Sequence, residues 1–303
     1  MASTSSDVLY CLGISHKTTD LDLREKIHAR PAVLGKILEQ FRDETQIQES
    51  VILSTCNRFE IYACSARQSA VDWLARRAGQ PPSVFAARVN TWEQLDAVRH
   101  LFSVAGGLEA QVIGETQIMG QVKEAYEISR QTRMSGTLMH ALFQRALAAG
   151  KRIRSETRLA QTPVSVSSVA VRLCEKIFGR LDGRVVLVVG AGEISCLAAE
   201  HLFERGARLT IFSTRSREPA EALAQTVSAE CLSLESLQSH LNSADIVFCG
   251  SGAPHALLTE PMVRESQKKR GARPLFLVDL AIPRDVESAV AEIDNVFLYN
   301  LDD

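Results

Sequence analysis

The sequence predicts an α/β chain in two parts, a small α+β domain followed by a doubly wound parallel sheet with helices on both faces. Three observations predict it. Apolar runs at 185–189, 209–212, 246–249 and 275–278 are separated by helix-length stretches. Runs that are apolar at every position belong to strands buried on both faces, as in parallel sheets with helical crossovers. Earlier in the chain, short strands stand among helices without that regular alternation. The 303 residues are enough for a core in each part.

In chain order, strands are expected over 8–13, 51–54 and 59–63, with helices over 31–42 and 70–78. From Thr91 the pattern turns helical. Leu95, Val98, Leu101 and Phe102 recur at helical spacing, as do Leu138, Leu142, Ala146 and Ile153. Asp182-Gly183 marks a turn opening the second half. The expected division is a domain over 1–160, a helical linker to about 178, and a second domain over 179–303.

Hydrophobic residues make up 46% of the chain and charged ones 23%, an ordinary globular balance. A net charge of -2 gives no global field to attract nucleic acid, so any such binding must use local patches. Cys11, Cys56, Cys64, Cys174, Cys196, Cys231 and Cys249 are odd in number and contain no C-x-x-C pair. That argues for a reducing compartment, and against a disulfide framework or a structural zinc site. The start, MASTSSDVLY, lacks the marks of a secretory signal, and no apolar stretch reaches membrane-span length. A soluble, cytoplasmic protein is expected.

Cys56 lies in Leu53-Ser-Thr-Cys-Asn-Arg58, at the break between two expected strands. A turn after a strand can hold a reactive side chain still while exposing it. Arg58 would favour the thiolate, which is the nucleophile. Most unpaired cysteines are small buried residues, and these letters alone favour that reading.

The run 185–189 passes directly into Gly190-Ala191-Gly192-Glu193 and a helix-like stretch over 194–205. Gly190 permits a tight turn, and Gly192 lets backbone N–H groups approach a pyrophosphate at the helix start. Ser195 holds the third fingerprint position in place of glycine or alanine. After the next strand comes Ser213-Thr214-Arg215-Ser216-Arg217, where an NAD enzyme usually carries an acidic residue. Hydroxyls and arginines there suit a 2′-phosphate, so NADPH is the expected cofactor.

Taken together, a set of motifs resembles glutamyl-tRNA reductase: Gly13-Ile-Ser-His-Lys-Thr18, Leu23-Arg-Glu25, and Ser54-Thr-Cys-Asn-Arg58 with Glu60 and Tyr62. Gly114-Glu115-x-Gln117-x-x-Gly120-Gln121-Val-Lys123, Lys151-Arg-x-Arg154-x-Glu156-Thr157 and Val164-Ser-Val-Ser167 belong to the same set. Gly190-Ala-Gly-Glu193 and Asp279-x-Ala-x-Pro-Arg-Asp285 complete it. The resemblance implies an N-terminal catalytic domain and a Rossmann-like NADP-binding domain. It also implies NADPH-dependent reduction of glutamyl-tRNA to glutamate-1-semialdehyde, the first step of five-carbon-route tetrapyrrole synthesis. Cys56 becomes the expected nucleophile, forming a thioester, and His100 the active-site histidine. Thr55, Arg58, Ala110, Glu115 and Gln121 fall on the substrate side, with Arg58 gripping the glutamate carboxylate. Gly190, Ala191, Gly192, Glu193, Ser195, Ser213, Thr214, Arg215 and Ser216 fall on the cofactor side. His16 and Ser165 match in position, with local capping an equal alternative. Lys151, Arg152, Arg154 and Arg158 could meet tRNA phosphates or form a solvated helix face.

Three departures stand out. Ala110 replaces a serine that contacts substrate in the family, Thr214 replaces an asparagine, and the sequence stops where relatives continue into a long helix and dimerisation domain. A monomer or weak dimer is therefore expected, with the downstream aminomutase as a further partner. Two alternatives remain: a reductase of another aminoacyl-tRNA, and a non-catalytic NADP-binding relative. The second half alone also fits a shikimate-dehydrogenase-like domain.

Overall fold

The computed structural model describes residues 8–303 apart from 116, 158, 160–164 and 215. The chain divides after residue 164 into two compact units.

The first unit carries strands β1 (Leu9–Ser15), β2 (Ser50–Ser54), β3 (Arg58–Cys64) and β4 (Asn90–Glu93). Its helices are α1 (Leu21–Ile27), α2 (Pro31–Thr45), α3 (Arg67–Arg77), α4 (Pro82–Ala86), α5 (Gln94–Ala105), α6 (Gln117–Gln131) and α7 (Thr137–Glu156). The antiparallel sheet has the order β2-β3-β1-β4 and is covered on both faces. Tyr10, Leu12, Ile14, Phe59 and Ile61 pack with α1 to α4. Cys11, Val51, Leu53 and Tyr62 pack with α5, α6 and α7. Two buried faces explain why β1, β2 and β3 read as nearly continuous apolar runs.

Thr91 lies in β4, not in a helix as its sequence context suggested. This edge strand alternates half-buried and exposed residues, so it left no apolar run to read. Likewise Leu95 and Leu138 are 69% and 41% exposed and stand off the core faces of their helices.

The second unit opens with α8 (Val166–Phe178) and continues through β5 (Val185–Val189), α9 (Glu193–Glu204), β6 (Arg208–Ser213) and α10 (Arg217–Thr226). Then follow β7 (Glu230–Ser233), α11 (Leu237–Leu241), β8 (Ile246–Cys249), α12 (Glu260–Arg270), β9 (Leu275–Asp279) and β10 (Val296–Asn300). The helix α8, expected as a linker, packs against α9 in this unit, and Ser167 Oγ donates to the Ile194 carbonyl at 2.9 Å. Ser165 caps α8 through a reciprocal box with Ser168.

All six strands run parallel in the order β7-β6-β5-β8-β9-β10, that of a dinucleotide-binding sheet. The order reverses between β5 and β8, and ligands of such sheets bind in the crevice at the carboxyl ends of that pair. The edge strand β7 escaped the sequence reading because its four residues, Glu-Cys-Leu-Ser, form no apolar run, and the apolar Val-Phe-Leu-Tyr run of β10 was passed over. Among the described residues no helix is long and apolar enough to cross a membrane.

Candidate active site

In the first unit the residues between β2 and β3 form a tight turn. The Thr55 amide donates to the Arg58 carbonyl at 2.8 Å. Thr55 Oγ1 accepts the amides of Asn57 at 3.1 Å and Arg58 at 3.2 Å. Thr55 thus shapes the turn that carries Cys56. The His16 amide donates to the Asn57 carbonyl at 2.9 Å, fixing the turn to the end of β1.

Cys56 is half-buried at the tip of this turn. Burial, and next the carboxylate of Glu115, push its thiol up to about 12 against the opposing pull of Arg24 and Arg58. Arg58 pulls the thiol down, as expected, but by less than burial and Glu115 push it up. Desolvation and a like-sign neighbour both favour the neutral thiol over the thiolate.

Arg58 is 3% exposed and already engaged. Its Nη1 donates to Glu60 Oε1 at 2.9 Å, and its Nη2 donates to the Glu109 carbonyl. Its Nε is buried and has no partner among the described residues. Glu60, 1% exposed, is the centre of the cluster. His100 Nε2 lies 2.9 Å from Oε1, and the Tyr62 hydroxyl donates to Oε2 at 2.7 Å. Burial alone would raise the Glu60 carboxyl, but the Arg58 charge, followed by His100 and Tyr62, holds it at about 2. Gly13 makes room for this acid, because a Cβ there would meet Phe59 O at 2.2 Å and Glu60 Cγ at 3.0 Å. The His100 ring stacks on Trp92, centroids 3.7 Å apart.

Ala110 is 8% exposed on the loop after α5, closed by the Gly114 amide bonding Gly107 O at 3.0 Å. The bond from Arg58 to Glu109 brings this loop beside the turn of Cys56. Glu115 is buried, and its carbonyl accepts from Arg154 Nη2 at 2.9 Å. Gln121 is half-buried on α6. Of the expected basic cluster, Lys151 and Arg152 are exposed and Arg154 is half-buried. Arg154 supports Glu115, Arg152 pairs with Glu156 at 3.0 Å, and Arg158 lies outside the described residues. Glu60 and Arg24 were missed as site residues, although both sit in motifs the sequence singled out.

In the second unit Gly190 follows β5 with φ +92, and a Cβ there would lie 2.6 Å from Ser251 Cα. Only glycine permits both that conformation and that approach. Gly192 is the N-cap of α9, and Glu193 is exposed in its first turn. Ala191, Gly192, Thr214, Ser216, Pro219 and Ser251 line a cavity of about 170 Å³ at this helix start. Glycine-lined backbone at the N-terminus of a 12-residue helix fits a pyrophosphate, and the cavity hydroxyls fit ribose or phosphate oxygens. Pro219 and Ser251 were missed, since nothing local marks them.

Ser195 is buried at the fingerprint's third position. It is 2% exposed and its Oγ donates to the Gly250 carbonyl at 3.2 Å, so it packs helix on strand where the fingerprint's third glycine would. Ser213 Oγ donates to the Leu232 carbonyl at 3.4 Å. Arg217 pairs with Glu221 at 2.6 Å, and Arg215 lies outside the described residues.

The family model described as glutamyl-tRNA(Glu) reductase, N-terminal domain, matches residues 12–157. One described as shikimate/quinate 5-dehydrogenase matches residues 172–303. Glutamyl-tRNA reductase of Chromohalobacter salexigens is 41% identical over 298 residues, covering 97% of this chain and 70% of that protein. The same enzyme of Desulfitobacterium hafniense is 40% identical over 297 residues, covering 96% and 67%. The solved glutamyl-tRNA reductase of Methanopyrus kandleri is 34% identical, covers 97% of this chain and 71% of that one, and has a TM-score of 0.48. With the Cys56 turn and the dinucleotide crevice on one chain, and relatives near 40% identity along nearly all of it, the chain belongs to the glutamyl-tRNA reductase family.

Proposed function

We propose that this chain reduces glutamyl-tRNA to glutamate-1-semialdehyde with NADPH, through a thioester on Cys56. The observation that carries this reading is the thiol at the tip of a hydrogen-bonded turn, beside a buried Arg58–Glu60–His100 cluster.

The Cys56 sulfur attacks the ester carbonyl, and the thiol proton leaves with the departing 3′-hydroxyl of the tRNA. Proton and leaving group depart together, so a thiol pushed up to about 12 is compatible with the step. Sulfur donates little resonance to the resulting carbonyl, which makes the thioester a good hydride acceptor. NADPH, when bound, supplies that hydride. Collapse of the hemithioacetal on Cys56 then releases the aldehyde and restores the thiol. Arg58 Nε is the donor offered to the substrate's side-chain carboxylate, while Nη1 and Nη2 are held by Glu60 and Glu109. His100, fixed by Glu60 and Trp92, orients the ester. Arg215 is the proposed reader of the 2′-phosphate. The released aldehyde is reactive, and an aminomutase that consumes it is the proposed partner. The proposed location is the cytoplasm.

The test is to mix the chain with charged glutamyl-tRNA and NADPH and assay for aldehyde. With NADPH withheld, mass spectrometry should find a glutamyl adduct on Cys56, and Cys56→Ser should abolish both adduct and reduction. An adduct on another cysteine, or a Cys56→Ser variant keeping most activity, overturns the mechanism. Glutaminyl-tRNA assayed alongside tests the amino-acid choice, and equal rates would favour the reductase of another aminoacyl-tRNA.

A further inference from the structure

The Asp279-x-Ala-x-Pro-Arg-Asp285 stretch has no part in the chemistry above, yet it holds two carboxylates that are 1% and 0% exposed. Taking a carboxylate out of water is costly, and such groups persist where donors meet their oxygens. Asp279 ends β9, in register with Cys249 at the end of β8. It accepts the amides of Ala281 at 3.1 Å and Val286 at 2.9 Å, closing the residues between into a loop. That loop delivers Asp285 to Ser251. Asp285 Oδ2 accepts the Ser251 amide at 2.8 Å and Oδ1 accepts the Ser251 hydroxyl at 2.5 Å. Ser251 Oγ in turn accepts the Ala253 amide at 3.0 Å.

Ser251 stands at the place where the crevice is decided. It lines the cavity at the start of α9, and its Cα is the atom that a Cβ on Gly190 would strike. Its neighbour Gly250 is held from the other side, donating to Val189 O at 3.1 Å and accepting from Ser195 Oγ. The placement of Ser251 therefore sets the gap between the carboxyl ends of β5 and β8, where a sheet of this order takes a nucleotide.

We propose that Asp285 is a positioning residue for the dinucleotide: gripping both the amide and the hydroxyl of Ser251, it fixes the β8 wall of the crevice against the Gly190 turn. It acts through Ser251 and touches no reacting atom. The inference rests on the reading that this unit binds NADPH.

The experiment is a fluorescence titration of NADPH against the full chain, its Asp285→Asn and Ser251→Ala variants, and the double variant. In either orientation the asparagine turns an NH2 towards Ser251 where an oxygen accepted before. Asp285→Asn should weaken NADPH binding roughly tenfold or more, and Ser251→Ala roughly three- to tenfold. The double variant should bind no more weakly than Asp285→Asn, because that change already disturbs the hydroxyl contact that Ser251→Ala removes. Acylation of Cys56 by glutamyl-tRNA without cofactor should be equal in all four proteins. Asp285→Asn affinity within about twofold of the parent, multiplying losses in the double variant, or a parallel fall in acylation would each overturn the proposal. Should Asp285→Asn fail to fold, an unchanged affinity in Ser251→Ala overturns it equally. A parent chain that binds no NADPH overturns the cofactor reading and the proposal with it.

Discussion

Glu60→Gln tests the electrostatic account of the catalytic cluster. The substitution keeps shape and removes the charge that Arg58 and His100 face at 2.9 Å. Holding a carboxyl at about 2 instead of 4.5 corresponds to about 3 kcal/mol of folding stability. The folded value is depressed, so this contribution is fully present above about pH 4.5 and is lost as pH falls through about 2. At neutral pH the glutamine leaves Arg58 buried without a counter-charge, which costs roughly 3–5 kcal/mol. Both tryptophans, Trp73 and Trp92, lie in the first unit, so their fluorescence reports its unfolding in urea. The variant should lose roughly 3–5 kcal/mol at pH 7, and its stability should fall less between about pH 5 and 3 than the parent's. A variant within about 1 kcal/mol of the parent, or an equally steep acid dependence, would refute the reasoning.

Cys56 should be alkylated by iodoacetamide at a rate that keeps rising from pH 7 to beyond pH 9, as its thiol is pushed up to about 12; a plateau below pH 9 would mean a thiolate. Gly190→Ala forces a Cβ to within 2.6 Å of Ser251 Cα at φ +92, and should lose roughly 1–3 kcal/mol by thermal melting together with cofactor affinity. An alanine variant with parental melting and binding would remove the close-approach argument. Arg215→Ala should weaken NADPH more than NADH, by roughly 1.5–3 kcal/mol. Equal losses for the two cofactors would show that Arg215 does not read the phosphate.

The central strands of the second unit were legible because burial is written into consecutive letters. The runs 185–189 and 246–249 coincide with β5 and β8, which have helices on both sides. The edge strands β4 and β7 were not legible, because they are short mixed segments with no apolar run, whereas the Val-Phe-Leu-Tyr run of β10 was legible and was passed over. Glycines were legible for a similar reason: the tight turn at Gly190 is a property of its own backbone.

The sequence by itself determined which groups the chain owns and where they fall: a cysteine at a strand break, a glycine turn after a buried strand, and hydroxyls with arginines after the next one. What those groups do to one another was decided by the tertiary structure. The Cys56 thiol is pushed up because burial strips its water and Glu115, distant in sequence, lies near it. Arg58 Nη1 and Nη2 are held by Glu60 and Glu109 because β3 and the loop after α5 converge there. Ser195 faces Gly250 because β5 stands beside β8, and Asp285 reaches Ser251 because β8 stands beside β9. Hydrophobic period and turn chemistry are local and survive in one dimension. Charge–charge energies and hydrogen-bond partners depend on distance and desolvation, and those exist only once the chain has closed on itself.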